Sequence, residues 1–168
     1  MKKNNIILIG MPGVGKSTVG VILAKIMGYH FIDADIVIQQ QERKLLKDII
    51  AAEGVEGFIQ VENRINASID GEQCIIATGG SVVYGEEAMD HYRNIGTVIY
   101  LKQSFDILNA RLRDIRGRGV VLKPGQDLKD LYTERCTLYE KYADIVIDEL
   151  NLNVEETIDK ILAALDHE

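Results

Sequence analysis

The sequence predicts an α/β protein, a doubly wound five-stranded parallel sheet with helices on both faces. Three observations carry this. Short apolar runs alternate with helical stretches along the chain, which is the rhythm of βαβ units. The 168 residues, 46% hydrophobic and 27% charged, suit one domain over 1–168 with ordinary globular composition. A glycine-rich turn joins the first apolar run to the first helix, at the end of the sheet where open α/β folds bind ligands.

The elements follow in order. Asn5–Ile9 is a buried-type strand, the glycine-rich turn comes next, and an amphipathic helix covers Lys16–Met27. Tyr29–Asp33 is a second strand. Asp35–Asp70 is expected to be helical with one break at Gly54–Gly57, and the segment 34–70 is the expected substrate-binding part. Cys74–Thr78, Thr97–Leu101 and Ile145–Asp148 are the remaining strands. Helices are expected near Glu86–Tyr92, over Phe105–Asp114 with Ser104 as N-cap, over Leu128–Tyr142 and over Val154–Leu165. Arg116–Gln126 fits neither a strand nor a helix. It carries three Gly, two Arg, a Lys and a Pro, so a lid closing over phosphates competes with a solvated loop.

Composition excludes several classes. Nineteen Lys and Arg against 26 Asp and Glu leave a net charge of −7, which argues against a phosphate-backbone partner. Apolar runs such as Ile6–Ile9 are far too short to span a membrane, and no signal-type segment follows Met1–Asn5. Cys74 and Cys136 show neither metal-ligand nor disulfide-scaffold spacing. A cytoplasmic monomer with no nucleic-acid or membrane partner is expected.

Gly10-Met11-Pro12-Gly13-Val14-Gly15-Lys16-Ser17 satisfies G-x-x-x-x-G-K-[ST], with a strand before it and a helix after. The glycines allow backbone N–H groups to point inward at a helix N-terminus, which makes a nest for phosphates. Gly13, Val14, Gly15, Lys16, Ser17 and Thr18 are thus the candidate ATP-binding set. Lys16 would reach the β- and γ-phosphates, and Ser17 would ligate Mg²⁺. Asp33 and Asp35 end the second strand on the same side of the sheet. One of them would support Mg²⁺ and the other would accept a proton or hydrogen bond from an acceptor hydroxyl, against the plainer role of helix N-cap. Thr78-Gly79-Gly80-Ser81 closes the third strand in the same crevice, as a ligand-contacting turn or simply a tight one. Arg111, Arg116, Arg118 and Arg135 gather around the candidate lid, where phosphoryl transfer needs cations. A solvated helix face is the competing reading for each.

Together these residues resemble the shikimate kinase family, small P-loop kinases of the nucleoside-monophosphate-kinase type, from about Ile6 to Asp148. Asp33-Ala34-Asp35 resembles the family's D-S-D, Ala77-Thr78-Gly79-Gly80-Ser81 its A-T-G-G-G, and Arg118-Gly119-Val120-Val121 its lid R-P-L-L. Arg135 through Tyr139, with Ala143-Asp144, resembles R-x-x-x-Y followed by A-D. The resemblance implies a P-loop kinase fold with a mobile lid over 116–126, ATP and Mg²⁺ as cofactors, and phosphate transfer to a shikimate hydroxyl. It implies Lys16, Asp35 and Arg118 as catalytic residues, and Arg111 and Arg118 on the nucleotide. Asp35, Gly79, Gly80, Ser81 and Arg135 would contact the acceptor, and Ser17 and Asp33 the metal.

The chain departs from the pattern on the acceptor side. The family's G-E-x-x-F-R-x-x-E appears as Gly54-Val55-Glu56-Gly57-Phe58-Ile59-Gln60-Val61-Glu62, so Ile59 replaces the arginine that pairs with the shikimate carboxylate. Arg64, five positions after Ile59, faces elsewhere on a helix. Ser81 replaces the third glycine, Gly119 the lid proline, and Asn151-Leu152-Asn153 the proline-bearing adenine loop. Three readings stay open on sequence: a kinase of shikimate, a kinase of another small polyol, and a non-catalytic ATP-binding regulator.

Overall fold

The apolar run at Asn5–Ile9 is buried along its whole length and forms the central strand, β1. In the computed structural model, which describes residues 4–114 and 124–167, four further strands flank it. They are β2 (His30–Asp33), β3 (Cys74–Ala77), β4 (Gly96–Lys102) and β5 (Ile145–Asp148). The order is β2-β3-β1-β4-β5, and every pairing is parallel. In register, Ile7 lies between Ile76 and Val98, and Leu8 between Ala77 and Ile99. Strands buried on both faces need apolar side chains pointing both ways, which explains the unbroken run in place of an alternation.

Helices α1 (Lys16–Met27), α2 (Ala34–Glu42), α3 (Leu46–Asn66), α4 (Glu86–Ile95), α5 (Phe105–Asp114), α6 (Leu128–Tyr142) and α7 (Val154–Asp166) cover both faces of the sheet. Helices α1 and α7 pack together and against β2, β3 and β5. Helices α4 and α6 pack against β4 and, with α3, against the short turn Val82–Tyr84. From β1 the chain runs to β2 on one side, while from β3 it crosses to β4 on the other. The loop after β1 therefore opens at the switch point of the sheet.

Two expectations change in detail. The stretch 35–70 is two helices, not one broken helix. Arg43 adopts φ 53, and the Gln39 side chain takes the Leu46 N–H at 3.2 Å, so α2 stops and α3 starts afresh. The expected break at Gly54 is present as a kink within α3, with φ 72 and ψ 179. Helix α3 then ends at Asn66, short of Asp70. Packing between α2 and α3 rests on a small apolar cluster of Ile38, Ile49, Phe58, Val61 and Ile65, separate from the main core. Asn153 caps α7, accepting the Glu156 N–H at 2.8 Å while Glu156 reaches back to the Asn153 N–H. Arg116 and Arg118, and most of the candidate lid, lie outside the described residues.

Candidate active site

The turn between β1 and α1 is made of backbone conformations that side chains resist. Gly13 has φ 82 and Gly15 φ 97, and Gly15 is the left-handed residue from which α1 starts. The Lys16 ammonium lies over this loop and donates to the carbonyls of Gly10 at 2.6 Å and Met11 at 2.9 Å. Burial lowers its pKa to about 8, against the opposing pull of Asp35. Ser17 and Thr18 follow it, exposed on the first turn of α1. Arg111 on α5 donates to the Gly13 carbonyl at 3.1 Å, so it borders the loop from outside.

Asp33 takes the plainer role weighed for it, as N-cap of α2, and does so with only one of its carboxylate oxygens. Its Oδ1 caps α2 by accepting the Asp35 and Ile36 N–H groups at 3.0 and 3.3 Å. Its Oδ2 accepts the Ser17 hydroxyl at 3.1 Å. The cap therefore fixes one carboxylate oxygen and turns the other toward the phosphate loop. Asp35, in the first turn of α2, stands half-buried with its pKa raised, first by desolvation and then by Asp33, with Lys16 opposing. These residues share a cleft of about 890 Å³ with Pro12, Gly13, Thr78, Gly79 and Gly80.

The wall at Gly79-Gly80 requires glycine for space. A Cβ on Gly79 would lie 2.8 Å from Asp35 Oδ1 and 2.9 Å from Glu62 Oε2. One on Gly80 would lie 2.7 Å from Pro12 Cδ and 3.0 Å from Arg135 Nη1. Carboxylates and a guanidinium from three helices thus crowd these two positions. Arg135 is only 1% exposed, not on a solvated helix face, and sits 5.5 Å from the centroid of the Tyr84 ring. Tyr139, one turn further along α6, donates its hydroxyl to the Gly80 carbonyl at 2.5 Å. Arg64 points away and pairs with Glu42 at 2.8 Å.

Sequence reasoning gave no role to two buried acids. Glu62 accepts the Ser81 hydroxyl at 2.6 Å, and burial pushes its pKa up to about 7. Glu149, just past β5, is raised to about 7 by burial, while Arg111 and Lys16 oppose the shift. The resemblance could have drawn attention to Glu62, since it ends the quoted motif. A single Glu after a strand gave no signal for Glu149. The cleft's outer wall, Leu45, Leu46 and Lys47, was also unmarked because it forms only where α2 breaks from α3.

A family model described as shikimate kinase matches residues 12–166. The chain belongs to the shikimate kinase family. Among its shikimate kinase relatives, that of Thermodesulfovibrio yellowstonii is 35% identical over 161 residues, covering 94% of this chain and 92% of that one. The shikimate kinase of Trichormus variabilis is 38% identical, covering 94% and 86%. A solved shikimate kinase from Acinetobacter baumannii, in complex with shikimate, superposes with a TM-score of 0.87 at 27% identity over 98% of this chain and 93% of that one. A sugar kinase from Janibacter, at 18% identity and a TM-score of 0.62, shares the fold. Shikimate kinases are phosphotransferases that use ATP, so the phosphate loop and the Gly79 wall belong to an enzyme and not to a non-catalytic regulator.

Proposed function

We propose that this enzyme transfers the γ-phosphoryl group of ATP to a hydroxyl of shikimate. The supporting observation is the convergence of Lys16, Asp35 and the Gly79-Gly80 wall on one cleft, with Arg135 buried directly behind it. Phosphoryl transfer asks for positioning and charge neutralisation more than covalent chemistry. Gly13, Val14, Gly15, Lys16, Ser17 and Thr18 hold the phosphates, and Lys16 exchanges its two carbonyl partners for phosphate oxygens. Arg111 borders the nucleotide. Asp35 orients the acceptor hydroxyl and receives its proton as the oxygen bonds to phosphorus and ADP departs. Its raised pKa makes it a better proton acceptor than an ordinary carboxylate. Arg135 meets the acceptor carboxylate, and Arg118 is the cation assigned to the transferring group.

Mg²⁺ fits the site. Ser17 and Asp33 present oxygen donors side by side, and the described residues hold no group of three or more His, Cys, Asp or Glu of the kind an all-protein cage needs. That is the donor set of an ion that keeps most of its waters and binds phosphate oxygens. When bound there, it supplies neutralisation of the β- and γ-phosphate charge. A cytoplasmic location accords with Cys74 and Cys136, both free thiols.

One observation favours a second acceptor, another small polyol: Ile59 removes one of two carboxylate clamps. Coupled ADP release with Mg·ATP separates the two readings. Stimulation by shikimate above a polyol panel supports the first. Stimulation by a polyol alone replaces it.

A further inference from the structure

Glu62 is a buried acid to which the proposed mechanism gives no task. It is 2% exposed, and its Oε1 accepts the Ser81 hydroxyl at 2.6 Å. Its Oε2 is buried with no hydrogen-bond partner among the described residues. A buried oxygen left in that state is costly, and a ligand group is one way to satisfy it. This oxygen lies against Gly79 and beside Asp35, since a Cβ on Gly79 would fall 2.9 Å from Oε2 and 2.8 Å from Asp35 Oδ1. The open oxygen thus borders the same point as the group assigned to the acceptor hydroxyl.

Helix α3 is held firmly at this turn. Asn66 donates to the Glu62 carbonyl at 2.8 Å, and the Tyr92 hydroxyl from α4 donates to Asn66 at 2.6 Å. The charged and titratable groups facing Glu62 are Asp35 at the head of α2, Lys16 at the head of α1, Arg135 in α6 and Tyr92 in α4. Residue 59 stands one helical turn before Glu62 in α3, so an arginine there would lie beside the same carboxylate. Here that residue is Ile59, and the hydroxyl comes instead from Ser81, where the family pattern has glycine.

We propose that Ser81 is a positioning residue for the acceptor: it holds Glu62 by one oxygen so that the other meets an acceptor hydroxyl at Gly79, a task that a cation at position 59 would otherwise perform. The inference rests on the shikimate reading above. Positions 59 and 81 are then alternatives, and substitutions at the two are non-additive.

The test uses the full chain with Ser81→Ala, Ile59→Arg and the double variant. Ser81→Gly serves as a second way to remove the hydroxyl. Without any acceptor, ¹³C NMR of labelled glutamate follows the Glu62 titration. Ser81→Ala moves its midpoint up and Ile59→Arg moves it down. In steady-state kinetics, Ser81→Ala raises the KM for shikimate about tenfold and leaves the KM for ATP within about twofold. In the Ile59→Arg background the same substitution changes the shikimate KM less than about threefold. Equal factors in both backgrounds, or a Glu62 midpoint indifferent to Ser81, overturn the proposal. Expected titration shifts with no shikimate turnover in any variant overturn the acceptor assignment and uphold the Ser81–Glu62 pairing.

Discussion

The proposed phosphate side and the proposed acceptor side of the cleft are built from different materials. The phosphate side is mostly backbone, with left-handed glycines at 13 and 15 and one lysine folded over its own loop carbonyls. The acceptor side is mostly buried side-chain charge gathered from distant elements: Asp35 from α2, Glu62 from α3 and Arg135 from α6 meet at Gly79 and Gly80. A backbone nest tolerates changes around it because its ligands are N–H groups. A cluster of buried charges does not, because each member sets the protonation of the others. The substitutions from the family pattern quoted for residues 54–62 and 77–81 therefore fall where one change invites another.

The sharpest way to break this comparison is at its hinge. Lys16→Ala removes the cation shared by both sides and should cost turnover about 10³-fold or more with shikimate as acceptor, measured by coupled ADP release. Retained turnover would remove the phosphate site from the mechanism. Asp35→Asn tests the acceptor side alone. The turnover number should fall between about 10²- and 10⁴-fold with the KM for ATP unchanged. A parallel loss of ATP affinity would show that the two sides are not separable. Ile59→Arg adds back a carboxylate partner and should tighten shikimate by about 1–3 kcal/mol, read as a lower KM or directly by calorimetry. No gain means that the pocket has been rebuilt around Ile59.

The smallest effect is on stability. Glu62 and Glu149 titrate near 7 when folded against 4.5 when exposed, so the folded state binds their protons more tightly. Their contribution is fully present below pH 4.5 and is lost as the pH rises through about 7. Urea midpoints should therefore fall across that window. Glu62→Gln and Glu149→Gln should each flatten the slope, by at most about 1.4 kcal/mol per pH unit. A wild-type midpoint that stays level from pH 4.5 to 7 would contradict the burial of these acids.

The same contrast explains what could be read in advance. The approximate extents of the helices over 16–27, 105–114 and 128–142 and the strand at 145–148 were legible, because periodicity and glycine punctuation are local signals. So was the phosphate loop, whose glycines and lysine are contiguous. The split at Arg43 was not, since it depends on the Gln39 side chain capping a helix that lies beyond it in sequence. Arg135 was singled out, but its depth was invisible, because a helical arginine looks the same in sequence whether buried or solvated. Glu62 and Glu149 owe their pKa shifts to burial by residues far away in the chain. Only the assembled fold brings Ser81 against Glu62.

The most direct test of the central claim is product identity. ³¹P NMR of the protein with Mg·ATP and shikimate should show a phosphomonoester resonance growing in step with ADP and absent without shikimate. ADP appearing only with inorganic phosphate, or no loss of ATP at all, would contradict the account.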